Sequence, residues 1–235
     1  MMNKKENNHV VMAQGIVKEY REDKVPVKAL RGIDLTIDEG EFTAIVGPSG
    51  SGKTTFLNVI SGLDDATGGS VRLSGKLLSE MSGKELSDFR RDNIGFIFQS
   101  NNLIPVLTVE ENVEYVMLLQ GVPKKERHER VKKILADLGL EDMADRRPNR
   151  LSGGQQQRAG VARAMVSKPA LVLADEPTAS LDSEAAESLM EIMRELNEKS
   201  KITFIFSTHD QRVMKKARRL IVLKDGKVDR DEVKG

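Results

Sequence analysis

The stretch Gly47-Pro48-Ser49-Gly50-Ser51-Gly52-Lys53-Thr54 has the spacing of a phosphate-gripping loop, G-x-x-x-x-G-K-[ST]. Its glycines let backbone N–H groups converge on phosphate oxygens, and a following helix aims its positive end at the same place. Lys53 would neutralise charge near the β and γ phosphates, and Thr54 offers a hydroxyl to Mg2+. Thr55 is grouped with these phosphate-binding residues. A Gly/Ser-rich surface turn could share the composition, but this one follows an apolar run ending at Val46 and precedes a helical pattern. A second chemical signal is Leu171-Val172-Leu173-Ala174-Asp175-Glu176, an apolar strand ending in two acids. Burying such a pair is costly unless a cation faces it. Asp175 is suited to hold the metal through water, and Glu176, pointing differently, to polarise an attacking water.

These groups need a scaffold that presents them together. Short runs rich in Val, Ile and Phe recur at Phe42 to Val46, Ile94 to Phe98, Leu171 to Asp175, Ile202 to Phe206 and Leu220 to Leu223, separated by helix-length segments. Strands apolar on both faces predict an α/β fold with a largely parallel, buried central sheet, whose ligands gather at the strands' carboxyl ends. Between Ser100 and Arg150 the strand signal disappears. One helix is predicted to open at Thr108, with Glu111 placed as in a capping box, and a second carries Val131, Ile134, Leu135 and Leu138. This segment reads as a helical insertion. A third helix with Leu189, Ile192, Met193 and Leu196 shows only packing.

Composition narrows the class. The 235 residues suffice for a well-buried core, and the absence of cysteine removes disulfides, thiolate metal sites and cysteine nucleophiles. A formal net charge of +1 with 31% charged residues lacks the basic footprint of a dedicated nucleic-acid binder. Met1 to His9 is polar and reads as a loose tail rather than a signal peptide. No apolar run approaches the roughly 18 residues needed to cross a bilayer. His9 and His128 lie in polar segments and read as solvent-facing.

Leu151-Ser152-Gly153-Gly154-Gln155 resembles the signature sequence of ATP-binding cassette (ABC) ATPases. Other elements of that family occur in its order: Tyr20, the phosphate loop, Gln99, the signature, Asp175-Glu176, Ser180-Leu181-Asp182 and His209. The resemblance spans roughly Val11 to Val228. It implies one phosphate-loop NTPase domain: a core over 10–99 and 151–230 that includes an antiparallel N-terminal β subdomain, and an α-helical subdomain inserted at 100–150. It further implies ATP and Mg2+ as ligands, with Tyr20 stacking on adenine, Gln99 reporting metal and water, His209 contacting the γ phosphate, and Asp182 organising a dimer contact. Glu176, His209, Gln99 and Lys53 would form the catalytic set; Thr54, Gln99 and Asp175 would face the metal.

Ser152, Gly153, Gly154 and Gln155 open a helix whose unpaired N–H groups attract phosphate; the family implies that they face the nucleotide of a second copy, giving a head-to-tail dimer. Ala29-Leu30-Arg31-Gly32, Asn58-Val59-Ile60-Ser61-Gly62-Leu63-Asp64 and Phe98-Gln99-Ser100-Asn101-Asn102-Leu103-Ile104-Pro105 resemble the lipoprotein-release and macrolide-export branch. The implied partners are a second ATPase subunit and a separate transmembrane permease, with the chain on the cytoplasmic face of the membrane and no nucleic acid involved. The alternative is a non-transport cassette acting on ribosomes or DNA, disfavoured by the neutral charge and by the lack of a second cassette or long coiled coil.

Overall fold

The computed structural model describes residues 9–22, 25–100 and 102–234. The first elements are β1 (His9–Glu22), β2 (Val25–Asp38), β3 (Phe42–Val46), α1 (Lys53–Ser61), β4 (Gly68–Leu73), β5 (Lys76–Leu77), α2 (Gly83–Asn93) and β6 (Ile94–Ile97). Then come α3 (Val109–Leu119), α4 (Lys124–Asp137), α5 (Gly153–Met165), β7 (Leu171–Asp175) and α6 (Ser183–Ser200). The chain ends with β8 (Thr203–Thr208), α7 (Gln211–Lys216), β9 (Arg219–Lys224) and β10 (Lys227–Val233).

The central sheet has the order β10-β9-β3-β8-β7-β6. Its strands β9, β3, β8, β7 and β6 run parallel, and β10 closes one edge as an antiparallel hairpin with β9. All five residues of β3 and all six of β8 are buried, as expected of strands covered on both faces. The second sheet, β2-β1-β4-β5, is wholly antiparallel. On β2 the buried Ile33, Leu35 and Ile37 alternate with exposed neighbours, so one face packs inward and the other meets solvent.

Alternation along the central strands divides the interior into two cores. Phe42, Val172, Phe204 and Phe206 pack with residues of α3, α5, α6 and α7. Ile45, Leu171, Leu173, Ile205 and Ile221 pack with α1 and with the apolar face of the second sheet. Phe42 anchors the first core, its ring centroid 5.5 Å from Phe204 and 4.6 Å from Phe206.

Between β6 and α5 the main elements are α3 and α4, followed by two short 3-10 turns. Thr108 caps α3 in a reciprocal box with Glu111, while the buried Val131, Leu135 and Leu138 turn α4 inward. Two departures from the sequence reading are clear. Met1–Asn8 of the expected tail lie outside the described residues, but His9 belongs to β1, where its ring is 27% exposed and pairs with Asp38, so it is not simply solvent-facing. His128 does face solvent as expected, being 66% exposed, and it pairs with Glu110. The strands expected at Ile94 to Phe98, Ile202 to Phe206 and Leu220 to Leu223 run instead from Ile94 to Ile97, Thr203 to Thr208 and Arg219 to Lys224, because pairing with neighbours sets where a ladder starts and stops.

One contact joins helix to sheet without room for a side chain. A Cβ at Gly95 on β6 would lie 2.1 Å from the Ala164 carbonyl oxygen of α5. Gly95→Ala should therefore force α5 away from the sheet and lower the unfolding free energy by about 1–3 kcal/mol. Urea titration of the two proteins measures it, and equal midpoints would show that the helix moves without cost.

Candidate functional site

Register brings the chemical groups to one end of the central sheet. Val46 pairs with Thr208, Asp175 with Ser207, and Ile97 with Ala174. The residues just beyond these pairs are the phosphate loop after β3, Glu176 after β7, His209 after β8 and Gln99 after β6.

The loop from Gly47 to Gly52 depends on missing side chains. At Gly47, φ is +154° and a Cβ would sit 2.1 Å from the Leu223 carbonyl oxygen; at Gly52, φ is +100° and a Cβ would meet the Ala29 carbonyl oxygen at 2.7 Å. Pro48, Ser49 and Gly50 are exposed, Ser51 is buried, and α1 begins at Lys53 with no side-chain cap. The first N–H groups of α1 thus remain open to an anion. Lys53 Nζ donates to the carbonyls of Gly47 at 2.9 Å and Pro48 at 3.1 Å, so the ammonium lies across the loop. The buried Ser51 hydroxyl has no hydrogen-bond partner among the described residues.

Thr54 donates its hydroxyl to Asp175 at 3.2 Å, which joins the helix start to the end of β7. An exposed hydroxyl and a carboxylate meeting in this way form the sparse oxygen set that suits a hydrated hard cation. Glu176 stands at φ +46°, a left-handed conformation rarely taken by a residue with a side chain. Its N–H donates to the Ser207 carbonyl at 2.8 Å. Its carboxylate accepts from the Thr208 hydroxyl at 2.9 Å and from His209 Nδ1 at 2.6 Å. Gln99 lies exposed two residues past the end of β6.

Ser152 caps α5, accepting from the Gln155 N–H at 3.3 Å while the Gln155 side chain accepts from the Ser152 N–H at 2.9 Å. Ser152 and Gly153 are exposed, and Gly154 and Gln155 half-buried. Asp182 caps α6 by accepting from the Ala185 N–H at 2.8 Å. Ser180 is exposed and Leu181 half-buried between Glu176 and this cap. Tyr20 is half-buried on β1, and its hydroxyl donates to Asp64 at 2.7 Å.

The model for the family described as ABC transporter matches residues 30–179. The chain belongs to the ABC transporter ATPases. The lipoprotein-releasing system ATP-binding protein LolD of Bacteroides thetaiotaomicron is 43% identical over 222 residues, covering 94% of this chain and 100% of that protein. The macrolide export ATP-binding/permease protein MacB of Aggregatibacter actinomycetemcomitans is 43% identical over 226 residues, covering 96% of this chain but 35% of the relative. A dimeric, post-hydrolysis structure of the ATP-binding cassette MJ0796 from Methanocaldococcus jannaschii, bound to ADP and Pi, matches with a TM-score of 0.87 at 42% identity, covering 95% of this chain and 98% of that one. The branch resemblance read from the wording around the motifs agrees with these relatives.

Sequence reading missed a brace behind the ATPase centre. Asp210, next to His209, accepts from the buried Thr178 hydroxyl at 2.7 Å, from the Arg212 N–H at 2.8 Å and from the Arg212 guanidinium at 2.7 Å. Asp210 thereby ties the His209 turn to the segment between Glu176 and Asp182. An aspartate beside the histidine was the available sequence signal, but its partner 32 residues away was not. The Arg212 hydrogen bond, with help from Thr178, outweighs burial and pulls the Asp210 carboxyl from 3.8 down to about 2. A depressed folded pKa means that the ionised form stabilises the fold fully above the unfolded value and that this contribution disappears as pH falls through the folded one. Asp210→Asn should accordingly be less stable than the parent at neutral pH. The gap in urea midpoint should narrow from pH 3.8 toward about pH 2; a gap independent of pH would deny the charge any part in the brace.

Proposed function

We propose that this chain is the motor of a membrane transport or mechanotransmission complex, in which ATP closes two copies head to tail and the closure moves a separate transmembrane permease. The convergence of Gly47–Thr54, Asp175, Glu176 and His209 on one edge of parallel strands carries this reading. Ser51, with its orphaned buried hydroxyl, and the uncapped start of α1 fit a bound triphosphate. In this reading Lys53 exchanges the Gly47 and Pro48 carbonyls for the β and γ phosphates, while Gly47 to Thr55 wrap them with backbone and hydroxyl donors. Thr54, Asp175 and Gln99 would hold Mg2+, which would supply positive charge against the phosphate oxygens.

Glu176 takes the proton from the attacking water, which gives ADP and phosphate. Its carboxylate is tied to His209, so His209 must turn toward the γ phosphate as Glu176 turns to water. Tyr20 stacks on the adenine. The exposed Ser152 and Gly153, with Gly154 and Gln155, close on the other copy's nucleotide, and Asp182 lines the joint. Dimeric MJ0796 with ADP and Pi supports that pairing by likeness.

For the permease contact, the exposed apolar residues Val106, Tyr115, Leu118 and Leu119 offer a docking surface close in sequence to Gln99. Among the described residues no helix is long and apolar enough to cross a membrane. In this reading the motor acts from the cytoplasmic face through its permease. Recovery of ribosomes without any membrane protein from a detergent extract would favour the non-transport alternative.

Two variants test the chemistry. Glu176→Gln should lower ATP turnover by about 10² to 10⁴-fold while retaining ATP binding, and should sediment as a dimer in ATP and a monomer without it. Unimpaired hydrolysis would remove Glu176 from the base role, and an unchanging monomer would remove the sandwich. Lys53→Ala should abolish nucleotide binding in a calorimetric titration; undiminished affinity would discredit the loop.

A further inference from the structure

The phenol of Tyr20 is braced from several directions. Its hydroxyl donates to Asp64 Oδ2 at 2.7 Å, and the other oxygen of that carboxylate accepts from Lys18 Nζ at 2.5 Å. Lys18 also donates to the Asp65 carbonyl at 2.8 Å and stands 4.8 Å from the centroid of the Tyr20 ring. Lys18 and Tyr20 are two residues apart on β1, so their side chains leave the same face of the strand. Asp64 follows the end of α1, held there by its N–H bond to the Asn58 carbonyl at 3.2 Å.

These contacts tie β1 to the connection that follows α1. β1 belongs to the antiparallel sheet, while α1 carries the phosphate loop of the central one. The neighbouring backbone extends the β1–β4 pairing and so holds the segment after Asp64 against β1: the Thr67 N–H donates to the Val17 carbonyl at 2.8 Å, and the Glu19 N–H to the Thr67 hydroxyl at 3.0 Å. Lys18 is 12% exposed and Asp64 29%, so their bonding is poorly screened by water. Burial pushes the Asp64 carboxyl up, yet the hydrogen bonds from Lys18 and Tyr20 outweigh it and leave the group below its usual value.

We propose that Asp64, with Lys18, is a positioning residue for the nucleotide base: it fixes the Tyr20 ring at a set height and tilt above the phosphate loop and leaves one ring face for the purine. The inference rests on the reading that Tyr20 stacks on adenine, and it adds residues that do not themselves touch the base. Lys18 covers one face of the ring with a cation and thereby confines stacking to the other. Without the tether, Tyr20 rotates about its side-chain torsions and must be ordered again each time a nucleotide binds, which weakens binding without altering the reacting groups.

The test compares ATP with inorganic tripolyphosphate, which carries the phosphates and no base. Tyr20→Ala should raise KM for ATP by about 5- to 100-fold. Asp64→Ala should raise it by about 3- to 10-fold, leave kcat within about twofold, and leave inhibition by tripolyphosphate unchanged. Tyr20→Phe, which lacks the hydroxyl, should show a similar loss, and combining it with Asp64→Ala should add nothing further. Asp64→Asn, which keeps an acceptor for the phenol, should recover part of the affinity.

Should Tyr20→Ala leave KM unaltered, the stacking reading fails and the tether with it. Should Tyr20→Ala raise KM while Asp64→Ala does not, stacking stands and only the tether is overturned. Parallel weakening of ATP and tripolyphosphate in Asp64→Ala would likewise overturn it, since that result marks general damage to α1.

Discussion

The parallel register of β3, β8, β7 and β6 is the constraint on which the site depends. Each parallel neighbour advances along the same direction, so Val46, Thr208, Asp175 and Ile97 finish near a common level. A shift of one residue in β8 against β7 would send Ser207 and His209 to the opposite faces and separate His209 from Glu176. The fully buried strands resist such a shift, because both of their faces are committed to packing. Phe204 and Phe206 fill one core and Ile205 the other. Chemistry at the edge of the sheet is thus held in place by hydrocarbon several residues below it.

Within that frame, most groups suited to a nucleotide already have protein partners. Lys53 bonds the loop carbonyls, Thr54 bonds Asp175, and Glu176 bonds His209 and Thr208. Ligand binding is then an exchange of partners, and a typical neutral hydrogen bond contributes only about 0.5 to 1.5 kcal/mol net. The Ser51 hydroxyl differs, since it is buried and unsatisfied. Glu176 adds backbone strain at φ +46°, worth about 1 to 3 kcal/mol, which its bonds to Ser207, Thr208 and His209 must hold.

Much of this could be read in the sequence where function resides in consecutive residues. Gly47 to Thr54 declares itself because the loop uses backbone shape, and glycine spacing records backbone shape directly. Asp175 and Glu176 were visible because two acids end an apolar strand. The Thr108 and Glu111 pair likewise announced α3, since a capping box is a local bond. Contacts across the fold were hidden for the opposite reason. Nothing near Tyr20 in the chain names Asp64, 44 residues away, and nothing near Asp210 names Thr178. His9 was misread because its segment is polar, whereas pairing with β2 places it beside Asp38 in a strand. Helix α2 and strand β10 also escaped notice, being rich in charge.

The signature turn and Gln99 are joined by α5. Its N-terminus carries Ser152, and its body approaches β6 so closely that Gly95 faces the Ala164 carbonyl. The fully buried Gln157 of the same helix donates to the Phe98 carbonyl at 3.4 Å, one residue before Gln99. Ser152, Gly153, Gly154 and Gln155 and the strand leading to Gln99 are therefore attached to one helix. A helix transmits displacement along its axis with little bending, because its own hydrogen bonds run parallel to that axis. A tilt of α5 from the Ser152 end bears on β6 at Gly95 and on Phe98 through Gln157. The exposed apolar residues of α3 lie on an element packed against α5, so load applied there reaches the same rod. Ordinary close packing is enough to connect the exposed apolar residues of α3, the Ser152 turn and the end of β6.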